Sequence, residues 1–135
     1  MQFIFPIRVY IEDTDYAGVV YHANYLNYFE RARSEWIDQL GYGLDWQKEQ
    51  QLIFPVRHLE IEYLKPARLN QKLEVLTRVE STRPASIIFD QQLRLAGTKD
   101  TILTTAKIKI ACVDTAMRPQ AVPQALLATL IGEPA

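Results

Sequence analysis

The sequence predicts an α+β domain in which one long helix packs across an antiparallel sheet. One segment near the start of the chain has the apolar period of a helix, and four later segments have the period of two that is typical of strands. The connections between the later segments are too short to contain crossover helices, so most strand pairs should be antiparallel. A length of 135 residues suits a single domain, residues 1–135.

The first predicted elements are a strand at residues 3–12 and a helix at residues 24–40. Asn24 is a candidate N-cap of that helix, and Gly41 is a candidate C′ residue. The apolar positions of the helix fall on one face, which we expect to be buried: Tyr25, Phe29, Ala32, Trp36 and Leu40. The opposite face is predicted to be solvated or to contact a partner, and it carries Asn27, Glu30, Arg31, Arg33, Ser34 and Asp38.

Four strands are predicted after the helix, at residues 58–63, 73–80, 87–95 and 102–112. The segment "LDWQKEQQ" predicts one short helical turn, and "PQALLATLIG" near the end predicts a short amphipathic helix that docks on the domain. One long helix covers only one face of such a sheet, and the outer strands have free edges that invite pairing. We therefore expect a homodimer or a homotetramer.

Composition excludes several classes of function. The net charge of −1 gives no electrostatic basis for binding nucleic acid or an anionic membrane. The single cysteine, Cys112, excludes an internal disulfide and a cysteine-rich zinc site, and its apolar strand predicts an inert core thiol. The apolar start has no basic leader or cleavage site, and no apolar run approaches the ~20 residues of a membrane span. We expect a cytoplasmic protein.

The segment "EDTDYAGVVYHAN" concentrates the residues that could carry chemistry. A calcium loop starting at Asp13 would place Ala17 at a ligand position, so the calcium interpretation fails. Zinc is also disfavoured, because the only histidines are His22 and His58 and they lack a metal-binding spacing. His58 alternates with apolar strand residues and is predicted to be structural or exposed. We predict no metal site.

What remains is a carboxylate beside the entrance of a helix, an arrangement that suits acyl transfer. Asp15 could attack a carbonyl or activate water, while backbone N–H groups between Gly18 and His22 could stabilise an oxyanion. Gly18 would allow the backbone to approach a ligand closely. The alternative is that Asp13 or Asp15 only caps a turn, which is common for aspartate.

The same segment resembles the signature of the 4-hydroxybenzoyl-CoA thioesterase family. The segments "YLNYFERARSEW", "EYLKPARL" and "CVD" are similar to the branch of that family associated with the Tol–Pal cell-envelope system. The resemblance spans residues 7–124. The matching signature positions are Arg8, Val9, Thr14, Asp15, Gly18, Val19, Val20, His22, Asn24 and Tyr25.

The resemblance implies a hotdog fold, in which a five-stranded antiparallel sheet wraps around one long helix. It implies an acyl-CoA thioesterase whose sites lie at a dimer interface, commonly within a homotetramer. Coenzyme A would be part of the substrate, and no other cofactor is expected. The acyl group would be short to medium in length or aromatic, and acyl carrier protein or lipid-synthesis enzymes are candidate partners. The alternative is a non-catalytic interaction module of an envelope or lipid-synthesis assembly.

The family motif makes Asp15 the catalytic nucleophile or general base, and it leaves Asp13 and Glu12 as structural or solvated. His22 either transfers protons through its ring or lines the pocket while only its N–H polarises the carbonyl. The expected oxyanion donors are the N–H groups of Gly18, Val19 and His22. The remaining expected contacts are Tyr16, Tyr21, Asn24 and Tyr25 in the acyl pocket, and Lys65, Arg68, Arg83 and Arg118 at the coenzyme A phosphates.

Other residues near the motif depart from the family pattern or have simpler roles. Tyr16 is large where relatives often have a small residue, so it could narrow the pocket and favour short acyl groups, or point away. In the segment "STRPAS", Pro84 and Ala85 stand where the Tol–Pal branch usually has a glycine and a threonine, in a loop that faces the nucleotide in relatives. Glu30 and Glu35 are predicted to pair with Arg31 or Arg33 on the helix.

Overall fold

A computed structural model describes residues 1–132, in which one long helix packs on one face of a five-stranded sheet. The strands are β1 (Gln2–Arg8), β2 (Val56–Tyr63), β3 (Lys72–Arg83), β4 (Ser86–Leu95) and β5 (Ile102–Ala111). The helices are α1 (Asn24–Gln39), α2 (Leu44–Glu49) and α3 (Gln124–Ile131). The short helix predicted from "LDWQKEQQ" and the helix predicted near the end are therefore both confirmed.

All strand pairs in the sheet are antiparallel, as predicted, and the order across the sheet is β1-β3-β4-β5-β2. The loop after β1 leaves the sheet beside the start of β3, because Arg8 pairs with Lys72. The loop after β2 returns to the same end of the sheet and meets the first loop where Val19 bridges Arg68. This meeting of two loops builds the candidate site.

The core lies between α1 and the inner face of the sheet. The predicted apolar face of α1 is buried at Tyr25, Phe29, Ala32 and Trp36, so the helical spacing is confirmed. These side chains pack with inward residues of the strands, including Val75, Phe89, Leu93 and Ile108. Cys112 is fully buried, and burial raises the pKa of its thiol, which agrees with an inert core cysteine.

Arg33 corrects the prediction that the polar side of α1 is solvated. Its side chain is buried, and its Nη1 donates to Gln91 Oε1 at 2.9 Å. Gln91 Nε2 donates in turn to the carbonyl of Phe29 at 3.0 Å and to Thr77 Oγ1 at 2.9 Å. Burial lowers the pKa of Arg33 to about 10, and the charge of Glu30 opposes this shift.

The predicted ion pairs on α1 are not formed within the described residues. Neither Glu30 nor Glu35 makes a salt bridge with Arg31 or Arg33. The reason is that Arg33 points inward to Gln91, which places its guanidinium in the core. Glu30 therefore acts on Arg33 only through its charge.

The ends of two elements differ from the sequence prediction. β1 ends at Arg8, earlier than predicted, and the chain then forms a 3-10 turn at Ile11–Asp13. Asn24 is the first residue of α1, so its assignment as the N-cap was wrong; Ala23 takes the N-cap position without a side-chain bond. Gly41 lies just beyond the helix with φ of +92°, a conformation that favours glycine, as predicted for a C′ residue.

None of the helices within residues 1–132 is both long and apolar enough to cross a membrane.

Candidate active site

Asp15 lies at the tip of a tight loop between β1 and α1. Its N–H donates to the carbonyl of Val19 at 2.9 Å, and its own carbonyl accepts from Gly18 N–H at 3.1 Å. Its Oδ1 accepts from Ala17 N–H at 2.8 Å, which fixes the side chain in an Asx turn. Gly18 has φ of +76°, which explains a glycine at this position. The carboxylate is held in place and remains exposed.

A pocket of about 350 Å³ lies beside Asp15. Lys65 brings a positive charge to this pocket, and Tyr63 brings a hydroxyl. We call it the Asp15 pocket; its walls are Asp15, Val19, Val20, His22, Tyr25, Tyr63, Leu64, Lys65 and Pro66. A larger cavity of about 1000 Å³ runs along α1 and the inner sheet face, but Asp15 does not line it. The carboxylate chemistry therefore belongs to the smaller pocket.

Two backbone N–H groups in the Asp15 pocket are unused. Neither the N–H of Val19 nor that of His22 donates to an acceptor within residues 1–132. The N–H of Gly18 already donates to Asp15, so it is engaged in the turn and is not free to hold an oxyanion. His22 precedes the start of α1 by two residues, near the positive end of the helix dipole, which favours negative charge.

Tyr63, at the end of β2, holds the His22 segment in place. Its hydroxyl donates to the carbonyl of His22 at 2.7 Å, and its ring meets Tyr25 edge-on with centroids 5.1 Å apart. Burial, and secondarily Tyr25, raises the pKa of Tyr63. The sequence interpretation did not assign Tyr63 to the site. Its alternation with Leu59 and Ile61 on a strand leading to "KPAR" was the signal available.

Of the aromatic residues predicted for the acyl pocket, one lines the Asp15 pocket and two do not. Tyr25 is buried, lines the Asp15 pocket and accepts a hydrogen bond from Ala67 N–H at 3.1 Å. Tyr16 is fully exposed and Tyr21 is half exposed, and neither lines this pocket in a single chain. The ring of His22 is exposed and tilts against the ring of Tyr21, with centroids 4.6 Å apart.

The side chain of Asn24 is engaged in hydrogen bonds with two other side chains of the protein. Its Nδ2 donates to Asp13 Oδ1 at 2.9 Å, and its Oδ1 accepts from Asn27 Nδ2 at 2.7 Å. Asn24 therefore ties the loop to α1 and does not line the Asp15 pocket. The same amide group of asparagine can cap a helix or bridge two segments, so the sequence alone does not distinguish these two roles.

The four predicted phosphate-binding cations lie at two ends of the sheet. Lys65 lines the Asp15 pocket, and Arg68 lies opposite Val19 at its border. Arg83 ends β3, far from the site, and Arg118 pairs with Asp114 at 3.0 Å beyond β5. A single chain does not bring all four together.

Within residues 1–132, no group of three or more histidine, cysteine, aspartate or glutamate side chains is arranged to hold a metal ion. His58 is exposed, and its Nε2 lies 3.6 Å from Glu60 Oε1. The chemistry available at the site is that of a carboxylate, free backbone N–H groups, a tyrosine hydroxyl and a lysine.

Comparison with known proteins identifies the family of the chain. The family model described as "Thioesterase-like superfamily" matches residues 9–130. The acyl-CoA thioesterase YbgC of Haemophilus influenzae is 46% identical over 125 residues, covering 90% of this chain and 89% of that protein. The acyl-CoA thioester hydrolase YbgC of Escherichia coli O6:H1 is 39% identical over 127 residues, covering 93% of each.

A solved structure supports the fold independently. The crystal structure of a probable thioesterase from Bartonella henselae superposes with a TM-score of 0.83 at 36% identity, covering 91% of this chain and 100% of that one. The predicted hotdog fold is thus confirmed, and so is the prediction of a thioesterase enzyme. The chain belongs to the thioesterase-like superfamily.

Proposed function

We propose that this protein hydrolyses acyl-CoA thioesters at the Asp15 pocket. The observation that carries the proposal is the presence, in one pocket, of an exposed, oriented carboxylate and an unpaired backbone N–H at the entrance of a helix. Relatives in Haemophilus influenzae and Escherichia coli carry the name acyl-CoA thioesterase or thioester hydrolase. A CoA thioester is a substrate for which these two groups suffice.

The reaction consumes one water and yields a carboxylate and the thiol of coenzyme A. In one route Asp15 attacks the carbonyl carbon, the C–S bond breaks, and water then hydrolyses the mixed anhydride. In the other route Asp15 takes a proton from a water that attacks the carbonyl directly. In both, the N–H of His22, with that of Val19, stabilises the negative oxygen of the tetrahedral intermediate. The thiolate leaves readily, so no strong general acid is required.

Lys65 is the cation best placed to bind phosphate of coenzyme A, since it lines the same pocket as Asp15. Arg68 at the border of the pocket is a second candidate. Arg83 is eleven positions along β3 from Lys72, roughly 35 Å at ~3.3 Å per strand residue. Arg83 and Arg118 would therefore serve a site only through another copy of the chain.

We propose a homodimer or homotetramer, for which the sheet edge gives a reason. β2 is an edge strand, and its outer hydrogen-bonding groups meet no other strand among the described residues. Beside the site loop, Ile11 and Tyr16 are exposed apolar side chains. Pairing with a second copy would cover such features. Light scattering at micromolar concentration should report a dimer or tetramer, and the mass of one chain would contradict the proposal.

The finer features of the activity are also part of the proposal. The acyl group is short to medium in length or aromatic, acyl carrier protein thioesters are a second substrate class, and the enzyme works in the cytoplasm. An association with lipid-synthesis enzymes or the Tol–Pal system rests on the similarity of "YLNYFERARSEW" and "EYLKPARL" to that branch.

A panel of thioesters tests this proposal. The purified oligomer is given acyl-CoA esters of increasing chain length, benzoyl-CoA and one acyl carrier protein thioester, and thiol release is measured with a chromogenic disulfide. At least one CoA ester should be hydrolysed with kcat/KM of ~10⁴ M⁻¹s⁻¹ or more. Hydrolysis no faster than the uncatalysed rate for every ester would reject the proposed function.

A further inference from the structure

A buried polar group at the base of the site loop has no role in the chemistry above. Asp13 is only 5% exposed although it carries a carboxylate, and it lies two residues before Asp15. We infer that Asp13, together with Asn24, is a positioning pair that holds Asp15 and the N–H of His22 in the geometry for thioester hydrolysis. This inference rests on the proposed function.

The contacts of Asp13 tie both ends of the loop together. Its Oδ2 accepts from the N–H of Tyr10 at 2.9 Å, and its Oδ1 accepts from Asn24 Nδ2 at 2.9 Å. Its main-chain carbonyl accepts from the N–H of Tyr21 at 2.9 Å. One residue thus joins the chain that leaves β1, the strand-like return of the loop, and the first turn of α1.

Asp13 and the three residues bonded to it, Tyr10, Tyr21 and Asn24, form a clamp at the base of the site loop. The proposed catalytic groups are direct neighbours of this clamp in the chain. Asp15 directly follows Thr14, which forms a β-bridge with Val20, and it lies two residues after Asp13. The N–H of His22 is the next one after the N–H of Tyr21, which Asp13 holds. A shift of the clamp would therefore move the carboxylate and the oxyanion donor relative to each other. A displacement of ~1 Å in an active site can cost ~10²-fold in rate.

The carboxylate of Asp13 lies in buried surroundings, so it depends on hydrogen-bond donors. The hydroxyl of Tyr28 is fully buried, and no partner within residues 1–132 meets hydrogen-bond geometry with it. Burial raises the pKa of Tyr28, and Asp13 raises it further, first as a close acceptor beside the hydroxyl and then through its charge. A buried carboxylate is costly unless it is fully hydrogen-bonded. Tyr10 N–H and Asn24 Nδ2 supply donors to Asp13 from two sides and so meet this requirement.

The test exchanges the two partners. Asp13→Asn leaves one acceptor for two donors, so the amide of Asn24 either faces another N–H or turns over and gives up its acceptor for Asn27 Nδ2, and either change disturbs the pair. We expect kcat to fall ~10–100-fold while KM changes by less than about threefold, as for a group that acts on geometry and not on substrate binding. Asn24→Ala should lower kcat in the same way, since it removes the donor and leaves Asp13 bonded to Tyr10.

The double variant Asp13→Asn/Asn24→Asp restores every hydrogen bond with the polarity reversed. Asn at position 13 accepts from Tyr10 N–H and donates to the new carboxylate at position 24, which still accepts from Asn27. We expect its kcat to return to within about threefold of the parent, a coupling that only a paired role produces. Glu12→Gln is the matched control, because Glu12 is an exposed acid in the same turn with no side-chain hydrogen bond within the described residues. Its kcat should be unchanged.

Each outcome decides the inference. A folded Asp13→Asn protein with kcat within about twofold of the parent would overturn it. A double variant that folds but stays as slow as Asp13→Asn would also overturn it, because the pair would then not be the cause. If Asp13→Asn does not fold, the kcat of the double variant and of Asn24→Ala decides. A parent protein that hydrolyses no thioester would reject the proposed function and this inference together.

Discussion

Tyr63→Phe tests how far the position of the His22 segment governs turnover. The substitution deletes one hydroxyl and keeps the ring that packs edge-on against Tyr25. The lost interaction is the hydrogen bond to the carbonyl of His22, 2.7 Å long. The substitution therefore leaves Asp15 and the backbone N–H groups unchanged, and it removes only the hydrogen bond that holds the His22 segment.

The size of the effect follows from the bond that is lost. A neutral hydrogen bond contributes about 0.5–1.5 kcal/mol net, and Tyr63 is 47% exposed, so water can replace part of it. If all of this free energy is expressed in the transition state, kcat falls roughly two- to twelvefold, at about 1.4 kcal/mol per tenfold. The free energy of unfolding should fall by no more than about 1.5 kcal/mol.

The assay is steady-state thiol release on the best CoA ester, with urea unfolding as the measure of stability. Tyr42→Phe is the matched control, since it deletes a tyrosine hydroxyl that approaches Thr129 at 3.5 Å, outside the Asp15 pocket. Its kcat should equal that of the parent. A kcat for Tyr63→Phe equal to the control would refute the anchoring role. A loss of ~10³-fold would also refute it, because Tyr63 would then act on the reacting groups directly.

Two further substitutions test the role of the His22 ring and the contribution of Gln91 to stability. His22→Phe keeps an aromatic ring and the backbone N–H, so kcat should stay within about tenfold of the parent; a hundredfold loss in thiol release would make the ring a catalyst. Gln91→Leu should lower the free energy of unfolding by about 3–5 kcal/mol, because buried Arg33 loses the side-chain hydrogen bond that it makes within residues 1–132. Gln92→Leu on the other face of β4 is its control in urea unfolding, and an equal loss for both would refute the account of Gln91.

The local patterns of the sequence determine most of the fold. The spacing of Tyr25, Phe29, Ala32 and Trp36 needs only the geometry of a helix to predict a buried face, and that face is buried. The alternating strands and short connections likewise predict antiparallel pairing. The site loop is also local: Asp15, Gly18 and His22 lie within one short segment, so their neighbourhood follows from the chain itself.

Features that depend on distant residues could not be predicted in the same way. Arg33 looked exposed because its polarity fits the solvent face of α1, but its partner Gln91 is 58 positions away. The contact of Tyr63 with His22 spans 41 positions and depends on β2 crossing to the far edge of the sheet. Asn24 was mistaken for a cap because its true acceptor, Asp13, is brought close only by the fold of the loop.

The most direct test of the central claim is the turnover of Asp15→Asn on the best acyl-CoA ester. The variant keeps the size of the side chain and the acceptor for Ala17 N–H, but it removes the nucleophile or base. With Glu12→Gln as the control for loss of one acid, kcat of Asp15→Asn should fall by ~10³-fold or more, because several kcal/mol of transition-state stabilisation are lost. A folded, oligomeric Asp15→Asn protein that releases thiol at nearly the parent rate would contradict the account.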